Sequence, residues 1–359
     1  MSSKAAKLST LPQMDGSVTE SAYELEELAE LEHKYQQHLN ARSLAQVGFA
    51  GKSLDVRALE LGNPNARVPT VLFVGGVHGV ERIGSQVILA LLGSLLTRCS
   101  WDKHLQLMLT QIRLAFVPVL NPIGLIRGTR ANGNGVDLMR NAPIDARGSV
   151  TFMVGGQRLS RHLPWYRGRS SQLEVETRAI IDYSNELMAR GSSLIVLDAH
   201  SGFGLVDHIW FPFACKDTPF ARLGEVYHLK QLFEMSYPHH CHYHIAPQSR
   251  FYRTHGDIWD YLVSCNPQVP FLPLTLEMGS WAWVKKNPRQ LLRFSGYFNP
   301  QKQHRLQRIL RRHFTLMQFL LDVGYAQVLE QLPELHRHHL DYQARNFWYP
   351  QAAEKPSHD

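Results

Sequence analysis

The sequence predicts an α/β fold, a three-layer αβα sandwich in which helices cover both faces of a central sheet. Three observations lead there. Short apolar runs, TVLFVGG, SLIVLDAHSG and FLPLTLEMGS, are rich in β-branched residues or leucine and show little polar alternation, as strands buried on both faces do. Stretches with helical periodicity separate them, which is the pattern of strand, turn and helix units. The chain has 359 residues, 44% of them hydrophobic and only 19% charged, so it can bury a large core.

The elements follow in order. Residues 1–17 read as a flexible polar tail. SAYELEELAELEHKYQQHLN then places Leu25, Leu28, Leu31 and Tyr35 on one stripe of a helix. LDVRALELG reads as a first strand, and TVLFVGG after Pro69 as a buried one that ends in glycine. SQVILALLGSLL is a helix too apolar to face water on more than one side. LAFVPVLNP reads as a strand ending at Asn121-Pro122, and GLIRGTRANGNGVDLMRNAP, rich in glycine and asparagine, as a long loop. Loops of that length inside a compact domain usually carry function. LEVETRAIIDYSNELMAR is the next helix, and SLIVLDAHSG and FLPLTLEMGS are two more buried strands. In QKQHRLQRILRRHF, Leu306, Ile309, Leu310 and Phe314 fall at helical spacing while Arg305, Arg308, Arg311 and Arg312 take mostly the other positions, so this is an amphipathic helix packed on the core. Gly324 is the expected stop of that helix.

Composition narrows the function classes. No run of about 18 apolar residues is present to span a bilayer, and the first residues lack the apolar centre of a secretory signal. Cys99, Cys215, Cys241 and Cys265 are widely spaced with no CxxC pair, which favours reduced thiols. These features place the protein in the cytoplasm, with neither a membrane nor a nucleic acid as partner. The net charge of +7 and pI near 9.2 imply affinity for anions, but no nucleic-acid motif accompanies the charge.

In open α/β sheets, ligands bind beyond the carboxyl ends of the strands. Here those ends carry His78 with Glu81, Asn121, His200 and Glu277. His78 and Glu81, three apart on a turn entering a helix, share a face and can reach one ion. Alone, the pair is also what a turn and a helix start produce. His200, where the apolar run LIVLDAHSG leaves the core, completes the two-histidine, one-glutamate set of catalytic zinc. Glu277 ends the next strand, where a carboxylate is costly unless solvated, paired or used, and it suits a general base. Arg127, Arg130 and Arg140 in the long loop offer forked guanidinium groups for a carboxylate or an oxyanion.

Other signals fail. GKS at 51–53 lacks the preceding Walker glycine, GGVHG does not spell GxGxxG, and Ala199 stands where a GxSxG elbow needs glycine. HHCHYH, residues 239–244, would put His240, His242 and His244 on one face of a strand, at a surface or pocket rim.

Taken together, HxxE after a glycine-ended strand, NP-x-G, R-x-N, GVDL-x-RN, a strand-end His-Ser-Gly and a late strand-end glutamate occur in an order that resembles the zinc metallocarboxypeptidases of the carboxypeptidase A type. The resemblance runs from about Ser21 to Tyr325. It implies a carboxypeptidase-like domain over residues 18–325 with a mixed, mostly parallel twisted sheet, followed by a C-terminal extension, 326–359. It implies one zinc ion on His78, Glu81 and His200, with Asp137 orienting the first histidine. Glu277 becomes the general base, Arg130 the group that polarises the scissile carbonyl, and Arg140 the grip on the substrate's terminal carboxylate. Two positions depart from the family pattern. Met139 replaces an asparagine that helps bind the terminal carboxylate. Counting back from Glu277 puts Phe251 at the place of the family's mobile tyrosine, and Tyr252 beside it is assigned that role. Ile258 is placed in the specificity pocket.

The chemistry expected from these residues is hydrolysis of a peptide or amide bond next to a free carboxylate, in a peptide or an amino-acid conjugate. The alternatives are an N-acyl amino acid amidohydrolase of the succinylglutamate desuccinylase and aspartoacylase type, or a catalytically silent binding module.

Overall fold

A computed structural model describes residues 22–350 apart from 65, 66 and 171; the tail expected over residues 1–17 lies outside the described residues. The chain opens with helix α1 (Tyr23–Lys34) and the hairpin β1 (Asn40–Phe49) and β2 (Lys52–Gly62). Next come β3 (Thr70–Gly75), α2 (Arg82–Arg98), α3 (Lys103–Leu109), β4 (Arg113–Val117) and α4 (Pro122–Arg127). After a long irregular segment the chain forms α5 (Val175–Arg190), β5 (Leu194–Ser201), β6 (Asp207–Phe211), α6 (Leu223–Ser236) and β7 (Tyr243–Pro247). It ends with α7 (Ile258–Cys265), β8 (Phe271–Met278), α8 (Trp281–Lys286), α9 (Gln303–Tyr325) and α10 (Glu334–Trp348).

The eight strands form one mixed sheet in the order β1-β2-β4-β3-β5-β8-β6-β7. Its centre, β4-β3-β5-β8, is parallel, and β1, β2 and β6 run against their inner neighbours. Every residue of β3 and β5 is buried, so both faces of the sheet are covered, as their unbroken apolar runs predict. α2 and α9 pack on β3, and α2 also on β5; α5 packs on β1 and α7.

The register of the parallel centre builds the site. Gly75 lies opposite Ala199, and His200 lies opposite Glu277, so the carboxyl ends of β3, β5 and β8 end at one level. Gly76, with φ +62, then turns the chain away from the sheet in a conformation that side chains rarely adopt. Its turn brings His78 and Glu81 back over the end of β5.

Four expectations about elements need correction. The loop expected from Gly124 contains the end of α4, because Asn121 caps Gly124 N–H at 2.8 Å, Pro122 occupies the first helical position and Gly128 closes the helix with φ +62. β4 ends at Val117, short of the expected Asn121, whose side chain serves that cap instead. α9 runs through Gly324 to Tyr325; the glycine is there for contact, since a Cβ would lie 2.9 Å from Val71. The 239–244 histidines do not share a strand: β7 starts at Tyr243, and His240 sits in a turn closed by its N–H to Tyr237 O at 2.9 Å.

The segment after Tyr325 is packed on the domain rather than separate from it. α10 lies along α6, Leu340, Ala344 and Trp348 are buried, and Trp348 Nε1 donates to Ile245 O at 2.9 Å.

Candidate metal and substrate site

His78, Glu81 and His200 meet at the end of the sheet, each no more than 4% exposed. Their facing atoms converge: His78 Nδ1 lies 3.1 Å from His200 Nδ1 and 3.0 Å from Glu81 Oε1, and His200 Nδ1 lies 3.1 Å from Glu81 Oε2. Tetrahedral ligands about 2.0–2.1 Å from a zinc ion are separated from one another by about 3.3 Å. The other ring nitrogens face carboxylates, His78 Nε2 at 3.1 Å from Asp137 Oδ1 and His200 Nε2 at 2.9 Å from Asp198 Oδ2. Asp137 hydrogen-bonds His78 Nε2 and Asp198 stands at ion-pair distance from His200 Nε2, so both rings turn Nδ1 inward, with the usual support of a ligating histidine behind them. With both Nδ1 atoms deprotonated, two lone pairs and a carboxylate face one point and repel one another unless a cation sits among them, so these residues fit a zinc ion.

The network extends outward. Arg130 Nε donates to Asp137 Oδ2 at 2.8 Å and its Nη1 to Glu81 Oε1 at 3.1 Å. Ser201 N–H donates to Glu81 Oε2 at 3.0 Å, and Trp259 Nε1 to Asp198 Oδ2 at 2.9 Å. Burial works against the charge of Asp137, and Arg130 and His78 more than offset it, holding that carboxylate well below its usual range. Glu81 is likewise held low, where the two histidines outweigh burial. Burial alone would keep His200 neutral; Asp198 and Glu81 raise it well above an ordinary histidine.

Glu277 stands beside this group, with Oε1 accepting Phe203 N–H at 3.1 Å. Burial and the nearby Glu81 carboxylate push its pKa up to about 8, against the opposite pull of His200 and Arg130.

These residues line a cleft of about 1050 Å³ together with Arg130, Met139, Arg140 and Tyr252. Met139 and Arg140 lie in a 3₁₀ turn (Leu138–Arg140) capped by Asp137, whose Oδ1 accepts Met139 N–H at 3.1 Å. Arg140 is only 3% exposed, and its guanidinium donates to the carbonyl oxygens of Met139 (3.2 Å) and Val154 (3.3 Å). No carboxylate among the described residues lies within 4 Å of its guanidinium. Tyr252 is within reach of Arg140 and Glu277; burial raises its phenol above the ordinary value against the pull of Arg140. Phe251, at the counted tyrosine position, also lines the cleft, but packs edge-on against His208 with ring centres 4.8 Å apart.

Two expected residues are elsewhere. Ile258, placed in the specificity pocket, is buried in the hydrophobic core at the start of α7, and Asp257 before it lines the cleft instead. Arg127 turns away, stacking over Phe49 at 5.0 Å and donating to Gly133 O at 3.2 Å, because it closes α4. Asp198, which sequence reasoning did not single out, was legible as the residue two before His200, on the same face of a strand.

Comparison with known proteins agrees with this geometry. The family model described as zinc carboxypeptidase matches residues 27–294, and the chain belongs to that family. It is similar to carboxypeptidase SOL1 of Arabidopsis thaliana, 24% identical over 228 residues, which are 60% of this chain and 41% of that one. It is also similar to the inactive metallocarboxypeptidase ECM14 of Paracoccidioides lutzii, 27% identical over 178 residues, 40% of this chain and 30% of that one. The chain thus spans about two fifths or less of the length of these relatives. Among solved structures, carboxypeptidase A from Helicoverpa armigera shares the fold with a TM-score of 0.65 at 19% identity, over 90% of this chain and 78% of that one.

Proposed function

We propose that the protein is a zinc-dependent carboxypeptidase, which hydrolyses a peptide or amide bond adjacent to a free carboxylate. The observation that carries this reading is the presence, in one cleft, of the His78, Glu81 and His200 ligand set and of a buried guanidinium, Arg140, with no carboxylate partner among the described residues. Asp137 and Asp257 offset its charge only from a distance; a buried guanidinium with no direct ion pair is costly, and a substrate carboxylate relieves that cost.

When bound, zinc supplies Lewis acidity, acidifying water and polarising a carbonyl oxygen. The chain's own residues do the rest. Arg140 binds the terminal carboxylate and so sets which bond lies over the ligand set. Glu277, poised near neutrality, takes a proton from the attacking water and returns it to the departing amine. Arg130, at the cleft wall, donates toward the oxygen on which charge develops. Its present bonds to Glu81 and Asp137 hold its fork beside the reacting position. Met139 offers no hydrogen bond to the terminal carboxylate, so Arg140 and Tyr252 carry that recognition.

The substrate is read as a peptide or amino-acid conjugate, and the protein as cytoplasmic. The four cysteines are unpaired, which supports a reducing compartment; fractionation of cells expressing the full chain tests this, and recovery outside the cytoplasm would refute it.

The direct test of the activity is zinc content measured alongside turnover. The protein should bind one zinc per chain, and Glu277→Gln should keep that zinc while kcat falls about 10²- to 10⁴-fold. A wild-type chain that holds zinc and cleaves no peptide or N-acyl amino acid would make it a binding module instead.

A further inference from the structure

A second cavity, of about 270 Å³, lies behind the end of β8, between α8 and the first turns of α9. Lys286, His304, Arg305, Arg308 and Arg312 line it, and no carboxylate does. Arg305, Arg308 and Arg312 follow one another at three- and four-residue spacing, so they share a face of α9. Two of the cations are partly occupied: Arg312 pairs with Asp207 Oδ2 at 2.5 Å, and Arg305 Nη1 donates to Trp283 O at 3.0 Å. Lys286 and Arg308 have no hydrogen-bond or ion-pair partner among the described residues.

This arrangement is unfavourable on its own terms. Like charges one turn apart destabilise a helix. Cations in a first turn also oppose the helix dipole, and α9 has neither an acidic residue there nor a side-chain cap. An amphipathic helix that only had to be soluble could place its charges anywhere on its outer face. Here they converge on a concavity.

We propose that this pocket binds the phosphoryl group of a compact anion. Arginine forks match phosphate oxygens in pairs, and Lys286 adds a point charge from the opposite wall. The volume suits a phosphate or small phosphomonoester and is below that of pockets for drug-sized ligands. The group comes either from a free anion or from a phospholipid headgroup; Leu205, 58% exposed, also lines the pocket and would meet the lipid. Asp207, the partner of Arg312, also accepts Gly279 N–H through Oδ1 at 2.9 Å, two residues beyond Glu277.

The test titrates the zinc-loaded full chain by calorimetry with inorganic phosphate and with glycerol 3-phosphate, and by co-sedimentation with vesicles of phosphatidylcholine with or without phosphatidate. Lys286 and Arg308, both exposed, are changed together to alanine, with the far-ultraviolet circular dichroism expected to match the wild type, and Arg140→Met controls for anions held at the cleft's arginine. The expected result is saturable binding of a phosphomonoester or of phosphatidate vesicles. It should weaken at least about tenfold in Lys286→Ala/Arg308→Ala and with added salt, and persist in Arg140→Met. Free anion alone, or vesicles alone, identifies the source. No saturable binding in any arm, or binding that the double variant keeps, whether or not Arg140→Met loses it, would overturn the proposal.

Discussion

Asp198 shows how much of the site depends on a residue that touches no substrate. Its carboxylate holds His200 Nε2 from beneath and is itself held by Trp259. Asp198→Asn keeps the shape but weakens the acceptor that fixes the ring, so zinc affinity should fall about 10- to 100-fold, measured by competition with a chelator. Unchanged affinity would mean that His200 is oriented by packing alone. At this scale the ligands were legible because chemistry dictates their types: two histidines and a glutamate at strand ends have few other uses. Asp198 was legible from its spacing and was passed over, whereas Ile258 and Asp257 could not be separated in advance. They are adjacent, and the start of α7 decides which faces the cleft. Asp257 faces it because its Oδ1 caps Trp259 and Asp260 N–H groups at 2.9 and 3.0 Å.

The elements must meet closely for the ligands to converge. Gly84, in the first turn of α2, sits against the end of β5 so tightly that a Cβ would be 2.2 Å from Ala199 O. Gly84→Ala forces α2 and β5 apart beside both Glu81 and His200. We expect a loss of about 1–3 kcal/mol in denaturant unfolding, together with weaker zinc binding. Wild-type stability and zinc affinity would contradict this account of the packing. Apolar runs made β3, β5 and β8 legible as strands, yet the pairing of His200 with Glu277 came only from the assembled register. α4 was hidden for a different reason. Six residues with one glycine, Gly124, inside them and another, Gly128, after them read as loop until Asn121 is seen to cap them and Gly128 to end them.

Across the whole molecule, a polar cluster joins α9 to the sheet edge. His313 on α9 is 1% exposed and bonds Tyr243 Oη through Nδ1 at 2.9 Å. Burial, reinforced by Arg312, His240 and His242 and opposed by Asp207, lowers its pKa to about 4. The folded state therefore holds it neutral. Its contribution to stability is present above the unfolded value near 6.5 and is lost as pH falls toward 4. Between pH 7 and pH 5 it should remove about 2 kcal/mol of unfolding free energy. His313→Gln should flatten that part of the pH profile in denaturant titrations, and an unaltered slope would assign the acid loss to other groups. The layered fold was legible from the patterning of apolar runs, but the docking of α10 on α6 was not. Its buried residues, Leu340, Ala344 and Trp348, fall among histidines and charges that read as surface.

The central claim is that Arg140 waits for a substrate's free carboxylate beside the zinc ligands. The measurement that meets it most directly is kcat/KM of the zinc-loaded protein for one peptide with a free carboxyl end and for the same peptide amidated. Amidation should lower kcat/KM at least about thirtyfold, because it leaves the buried guanidinium without its anion. Equal cleavage of the two peptides would contradict the account.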